Sequence, residues 1–426
     1  MNNYTSIKSK ENTKMKNFDG YTYIDGGACA AKGFKANGLN CGLNPVKEKF
    51  DLALIASDVL CNAAGVYTKN KVKAAPVYVT KSHIEGNGRK AQAIIANSKN
   101  ANACNADGNE KAEAMCALAA KELGIEPEKV LVASTGVIGQ ILPIEPIADN
   151  VKALADGLTY DGSGRAAYAI MTTDTFSKEV AVEFEINGTK CRLGGMAKGS
   201  GMIHPNMATT LNFITTDAAV SGEMLQKALD DIVKITYNCL SVDGDTSTND
   251  MVLLLADGLA QNEEITAEGS EYEVFKQALY IVMMNLTRLL ASDGEGASKL
   301  LECTVSDAPD VDTAIIVAKS IIRSPLTKCA MFGEDANWGR ILCAIGYSEA
   351  EFDINKIAVE LASAAGSVKV CEDGHGIPFS EEEAAKILHE KEIFINVSMG
   401  CGDAQAKAWG CDLTYDYVKI NGDYRS

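Results

Sequence analysis

The chain is poor in the residues that most often betray a function. Its four histidines (His83, His204, His375, His389) lie far apart and show no metal-ligand spacing, so neither a zinc site nor a Ser-His or Cys-His nucleophile pair can be assembled from them. Thirteen cysteines, from Cys29 to Cys411, include no CxxC pair and form an odd number. That excludes a zinc ribbon and a disulfide framework, and it points to reduced, mostly buried thiols in a cytoplasmic protein. Aromatic residues make up only 6% of the sequence, so the core must be built from Ala, Val, Ile and Leu. No apolar run approaches the roughly 20 residues of a membrane span. The first 14 residues lack the apolar segment of a secretory signal, and Met15 is a candidate start of the compact protein. GxxxxGK[ST], a strand-borne GxGxxG, GxSxG and HExxH are all missing, which removes the usual nucleotide sites, the hydrolase elbow and the zincins.

Positive charge is also scarce. Forty Lys and Arg against 57 Asp and Glu leave a net charge of −17, which repels nucleic-acid phosphates and anionic lipid. Hydrophobic residues reach 46% over 426 positions, enough for two or three subdomains.

The elements that can be read mix strands and helices without a βαβ rhythm. Buried strands are expected at 51–56, 91–96, 130–134 and 251–256. Asp107 with Glu110 reads as a capping box opening a helix that stops at Gly124. A strand is expected over 168–172. Asn187-Gly188 joins Val180–Ile186 to a return strand through Cys191 to Met196, a strong hairpin signal. Helices are expected from Met224 to Ile235, from Glu271 to Ala291, over 311–323, from Ala336 to Ile345 and after Ser380, with strands at 357–361 and 368–370 and closing strands at 393–397 and 413–420. The expected fold class is α/β, an α+β layered sandwich.

The hairpin delivers the chain to Lys198-Gly-Ser-Gly-Met-Ile-His-Pro-Asn-Met-Ala-Thr-Thr-Leu-Asn-Phe-Ile-Thr-Thr-Asp217 near the middle of the sequence. Taken alone this is a glycine-rich loop feeding a half-buried strand. A second reading starts from Ala208-Thr209. A threonine freed at its amine needs no histidine, because an α-amine with a pKa near 7.7 can act as base for its own hydroxyl. The strand tip Thr135-Gly136 offers an O–H and an unhindered N–H, the donors that an oxyanion hole requires. Glu295, flanked by glycines in the loop 292–299, is a third conspicuous group.

In many ordered segments the chain resembles the ArgJ family, the glutamate N-acetyltransferase/ornithine acetyltransferases of arginine biosynthesis. The segments are Lys32-Gly-Phe-Lys35, Asp51-Leu-Ala-Leu-Ile55, Ala64-Gly-Val-Tyr-Thr68, Ala133-Ser-Thr-Gly-Val-Ile-Gly139, Met171-Thr-Thr-Asp-Thr175, Lys198 to Asp217, Asp293-Gly-Glu-Gly-Ala297, Gly333-Glu-Asp-Ala-Asn-Trp-Gly-Arg340 and the tail from Asn421. The resemblance implies a fold similar to the DmpA/ArgJ-like N-terminal-nucleophile enzymes and self-cleavage between Ala208 and Thr209. Residues 1–20 would then be a polar, disordered leader, 21–208 an alpha chain and 209–426 a beta chain headed by the nucleophile Thr209. It implies an oxyanion hole of Thr135 and Gly136, and substrate binding by Thr172, Lys198, Thr209, Glu295, Asn421 and Ser426. Lys198 suits a substrate carboxylate and Glu295 a cationic amine.

The implied reaction carries an acetyl group from N2-acetyl-L-ornithine to L-glutamate through acetyl-Thr209, without metal or bound cofactor; acetyl-CoA is a candidate co-substrate. The implied assembly is a dimer of alpha–beta pairs in the cytoplasm, with no nucleic-acid or membrane partner. Two residues depart from the family pattern. Lys99 stands where glycine is common, which removes the residue that a tight turn favours, and Ser426 stands where threonine is common. The alternative functions are an aminopeptidase or amidase of the same fold, in which water replaces glutamate, and an unprocessed binding protein.

Overall fold

A computed structural model describes residues 15–204 and 210–423. The expected cut at Ala208-Thr209 and the tail residue Ser426 lie outside the described residues. Among those described, the chain forms two mixed sheets of nine and seven strands with helices between and around them, a layered α/β sandwich.

The larger sheet runs, in spatial order, through Thr22–Tyr23, Lys178–Ile186, Thr189–Lys198, Leu211–Thr216, Met251–Ala256, Leu52–Tyr67, Lys90–Asn97 and Val130–Ser134. Phe34–Leu39 adds to the first half of the long strand Leu52–Tyr67. The hairpin turn forms as its sequence demands, with Asn187 and Gly188 both at positive φ (49° and 77°). At the centre, register sets Lys198 opposite Leu211, and Leu211 opposite Met251. The ends of these three strands therefore lie side by side, and the site forms there.

The smaller sheet has Leu300–Ala308 between Glu392–Ser398 and Ala404–Cys411. Helix Ser270–Ser292 is buried over most of its length, and its apolar residues share one core with strands of both sheets. Helices Gly108–Leu123 and Glu145–Asp156 cover the other end of the large sheet. No described helix is long and apolar enough to cross a membrane. Among the described residues all thirteen cysteines are unpaired and nine are buried.

Several sequence expectations need correction. Residues 163–169 form a helix rather than a strand reaching 168–172, and Ala166, Ala167 and Ala169 face the core. A short apolar run carries no period long enough to tell the two apart. Residues 415–423 also form a helix where a closing strand was expected, and Ala404–Cys411 closes the sheet instead. That last helix buries no side chain, so the alternation of Leu413, Tyr415 and Tyr417 reflects no sheet face. Strand Leu211–Thr216 is buried on both faces, not one. The helix Gly108–Leu123 has its expected bounds and its left-handed Gly124, but the Asp107 side chain makes no cap bond. Helices Ala75–Gly86, Glu145–Asp156 and Pro325–Phe332, absent from the sequence reading, each carry a proline in the first turn, a start signal that was there to be used.

Candidate active site

A pocket of about 790 Å³, including its open mouth, lies at the shared strand ends. Thr135, Gly136, Thr172, Lys198, Glu295 and Asn421 all line it. Five separate segments supply these residues, and each is fixed by a local reason.

Strand Val130–Ser134 ends at Thr135, whose N–H is taken by the Asn97 carbonyl at 3.0 Å. Gly136 follows at φ +131°, where a side chain would run into the Lys99–Asn100 backbone. The Gly136 N–H has no acceptor among the described residues, and its carrier faces the pocket. Lys99 itself sits at φ +72°. The tight turn therefore survives the loss of glycine, with lysine held in the left-handed region.

Lys198 ends the hairpin's return strand. Its Nζ donates to Thr172 Oγ1 at 2.9 Å and to Thr135 Oγ1 at 3.2 Å, joining the ammonium and the two hydroxyl groups in one chain of contacts. Burial draws the Lys198 ammonium below the usual lysine range, and Asp174 is the strongest of the groups that counter this.

Beneath the pocket lies an ionic triad that the sequence reading did not single out. Lys178 Nζ lies 2.7 Å from Asp174 Oδ1 and 2.6 Å from Asp293 Oδ2, with all three side chains sealed from solvent. Asp174 also accepts the N–H groups of Gly199 (2.6 Å) and Thr172 (3.0 Å), and Asp293 accepts the Thr175 N–H at 2.9 Å and the Thr175 hydroxyl. Burial works to raise the Asp174 carboxyl, but Lys178 and Lys198 outweigh it and hold it well below the carboxylate range. The triad thus ties the segments bearing Thr172, Lys198 and Glu295 to one point.

Glu295 follows Asp293 in the same loop, and its N–H donates to the Ser200 carbonyl at 2.9 Å. A Cβ at Gly201 would overlap the Glu295 carboxylate, so the second glycine of Lys198-Gly-Ser-Gly201 makes room for it. Asn421 Nδ2, from the last helix, donates to Glu295 Oε2 at 2.6 Å.

The run Ser247-Thr248-Asn249-Asp250 completes the wall and was also missed. Its signal in the sequence is an unbroken polar stretch directly ahead of a wholly apolar strand. Asn249 bridges the Ala101 and Ser134 carbonyls at 2.6 and 2.8 Å. Burial pushes the Asp250 carboxyl up to about 7. His204 turns instead to Ser241 (3.1 Å) and does not line the pocket. Among the described residues no group of three or more His, Cys, Asp or Glu side chains could hold a metal.

A pocket lined by one buried ammonium and one buried carboxylate, beside paired hydroxyl and N–H donors, suits a small zwitterionic acyl donor and acceptor. Fold, pocket and relatives together define an acyltransferase. The sequence matches the ArgJ family over residues 35–426. It is 50% identical over 404 residues to the arginine biosynthesis bifunctional protein ArgJ of Caldanaerobacter subterraneus subsp. tengcongensis, covering 95% of this chain and 99% of that protein. It is 51% identical over 394 residues to ArgJ 1 of Clostridium acetobutylicum, covering 92% and 96%. A crystal structure of ArgJ from Bacillus halodurans aligns over 51% of this chain and all of that chain, at 46% identity and a TM-score of 0.49. The chain belongs to the ArgJ family.

Proposed function

We propose that the protein transfers the acetyl group of N2-acetyl-L-ornithine to L-glutamate through an ester on Thr209. The observation that carries this reading is the meeting of Thr135, Gly136, Thr172, Lys198, Glu295 and Asn421 in one pocket whose wall includes Thr210, one peptide bond from Thr209. The relatives, bifunctional proteins of arginine biosynthesis, support a substrate of that pathway.

In the first half-reaction the Thr209 hydroxyl, losing its proton to the free α-amine, attacks the acetyl carbonyl. Developing charge on the carbonyl oxygen is met by the Thr135 hydroxyl and the Gly136 N–H. Ornithine leaves with the proton on its α-nitrogen, and the Thr209 amine is restored. Lys198 and Thr172 hold the substrate carboxylate, and Glu295, steadied by Asn421, holds the ornithine side-chain ammonium. Glutamate then enters, and its α-amine attacks the acetyl-threonine ester to give N-acetylglutamate. The cycle closes without a metal or bound cofactor. Acetyl-CoA is the second donor to be examined, since thioester attack by the same hydroxyl would load the same ester.

The free amine requires cleavage at Ala208-Thr209, which divides the precursor into chains 21–208 and 209–426 once the polar leader is set aside. Ser426 joins the substrate-binding set, a dimer of such pairs is the expected assembly, and the cytoplasm is the expected location. Denaturing gels should show two fragments that co-elute under native conditions, and Thr209→Ala should abolish both splitting and turnover. Ornithine release that proceeds equally with and without glutamate would establish a hydrolase instead.

A further inference from the structure

Thr210 has a φ of +107°, a conformation that a β-branched residue rarely adopts. Its polar atoms are all tied. The N–H donates to Asp250 Oδ1 at 2.7 Å, the carbonyl accepts the Met251 N–H at 3.0 Å, and Oγ1 accepts from Asn212 Nδ2 at 2.5 Å. The side chain also presses on Gly199, where a Cβ would collide with Thr210 Cγ2. Strain of this kind, on the order of 1–3 kcal/mol, persists only where the surroundings over-determine it.

Among these ties the bond from Asp250 stands apart, because it is made by an acid that is almost wholly buried (3% exposed). Its backbone is itself fixed: the Asp250 carbonyl accepts the Thr68 N–H at 2.9 Å, and the next residue begins the strand that pairs with Leu211. The carboxylate therefore has little freedom to leave the Thr210 amide. The charge of Lys198 works against burial at Asp250, and Asp174, Asp250 and Glu295 in turn favour the Lys198 ammonium. Burying a carboxyl is costly unless its hydrogen bonds are made, and the bond this one makes is to the Thr210 N–H, so the contact in the pocket wall calls for a role in the site.

We propose that Asp250 is a positioning residue for acyl transfer: by gripping the Thr210 amide it sets how the residue ahead presents its hydroxyl and amine to the pocket. The inference rests on the reading of Thr209 as nucleophile. Asp250 touches no reacting atom; it acts through the peptide bond between 209 and 210. Misplacing a nucleophile by about an ångström lowers turnover on the order of 100-fold while leaving substrate contacts intact.

The test compares Asp250→Ala and Asp250→Asn with wild type and Thr209→Ala, measuring fragment formation on gels, thermal unfolding, and kcat and KM per processed chain with acetylornithine and glutamate. Asp250→Ala should lower kcat by about 100-fold with KM within about threefold. Asp250→Asn keeps an oxygen for the Thr210 N–H and should stay within about tenfold of wild type. A folded Asp250→Ala within tenfold of wild type overturns the proposal, as does a folded Asp250→Asn that has lost more than tenfold. Should the alanine variant fail to fold, the asparagine variant decides by the same limit. Turnover that survives in Thr209→Ala overturns the parent reading; an inactive Thr209→Ala beside a normal Asp250→Ala overturns only this inference.

Discussion

Replacing Lys178 by methionine should both destabilise the protein and loosen its substrate site. The change is near in volume and removes only the cation between Asp174 and Asp293, whose oxygens lie 2.7 and 2.6 Å from Nζ. At an effective dielectric of about 20, each such contact is worth on the order of 6 kcal/mol of attraction, much of it offset by the desolvation of three buried charges. What decides the outcome is the state left behind: two carboxylates sealed from water with no cation between them. Breaking a buried pair in this way costs about 3–5 kcal/mol. The N–H groups of Thr172, Gly199 and Thr175 remain on the carboxylates and favour the lower end of that range. With an unfolding entropy of about 2 cal/mol/K per residue, a chain of this length melting as one unit should lose about 3–5 °C. KM for acetylornithine should rise in the same variant, because Asp174 orients the Thr172 and Gly199 backbone on either side of Lys198. Calorimetry and initial rates read the two effects. The triple variant Lys178→Met/Asp174→Asn/Asp293→Asn, with no charge left, should recover most of the melting temperature. A Lys178→Met protein that melts within 1 °C of wild type with unchanged KM would refute the assignment of the triad as the tie between the three pocket-lining segments.

Three further outcomes are expected. Lys99→Gly should raise stability by about 0.5–1 kcal/mol in chemical denaturation, since relief of a left-handed lysine exceeds the added freedom of the unfolded chain. Gly201→Ala should raise KM about tenfold, equivalent to roughly 1.4 kcal/mol, because its methyl displaces the Glu295 carboxylate; equal KM values in the two proteins would count against Glu295 as a substrate contact. Glu302 is a carboxyl that burial works to raise but that Lys407 and Lys16 pull down to about 2, from an ordinary 4.5. Its folded value is depressed, so its contribution of a few kcal/mol is complete above about pH 4.5 and is lost as pH falls toward 2. Glu302→Gln should therefore flatten the acid side of a plot of melting temperature against pH.

The parts of the fold that could be read in advance were those with a period or a turn chemistry. The Asn187-Gly188 hairpin, the five-residue strand 130–134 and the apolar strand 251–256 announce themselves because one local rule is enough for each. Leu300–Ala308 escaped, although it sits between two neighbours in the smaller sheet, because Leu300 and Leu301 break any alternation at its start. The tail helix was mistaken for a strand because nothing buries it and its pattern therefore carries no information about a face. The pocket was legible in part. Thr135, Gly136 and Glu295 stand out as a strand tip and a glycine-flanked acid, and Lys198 lies in an unusual glycine-rich run. Asp174, Lys178 and Asp250 had no such mark. A charge that is buried by tertiary contacts looks, in sequence, like any solvated charge, and only the folded chain distinguishes the two.

The strand order has a consequence for a protein whose chain is severed at 208–209. Two seams of the large sheet would then join separate polypeptides: Thr189–Lys198 against Leu211–Thr216, and Leu52–Tyr67 against Met251–Ala256. Each seam is a full ladder of backbone hydrogen bonds through the buried middle of the sheet, so the fragments are interleaved rather than docked. They could part only by unfolding both. Thr135, Thr172 and Lys198 would come from one fragment and Glu295 and Asn421 from the other. Severing the backbone would leave these pocket residues in place, and hydrolysis would add two groups beside them, the amine of residue 209 and the carboxylate of residue 208.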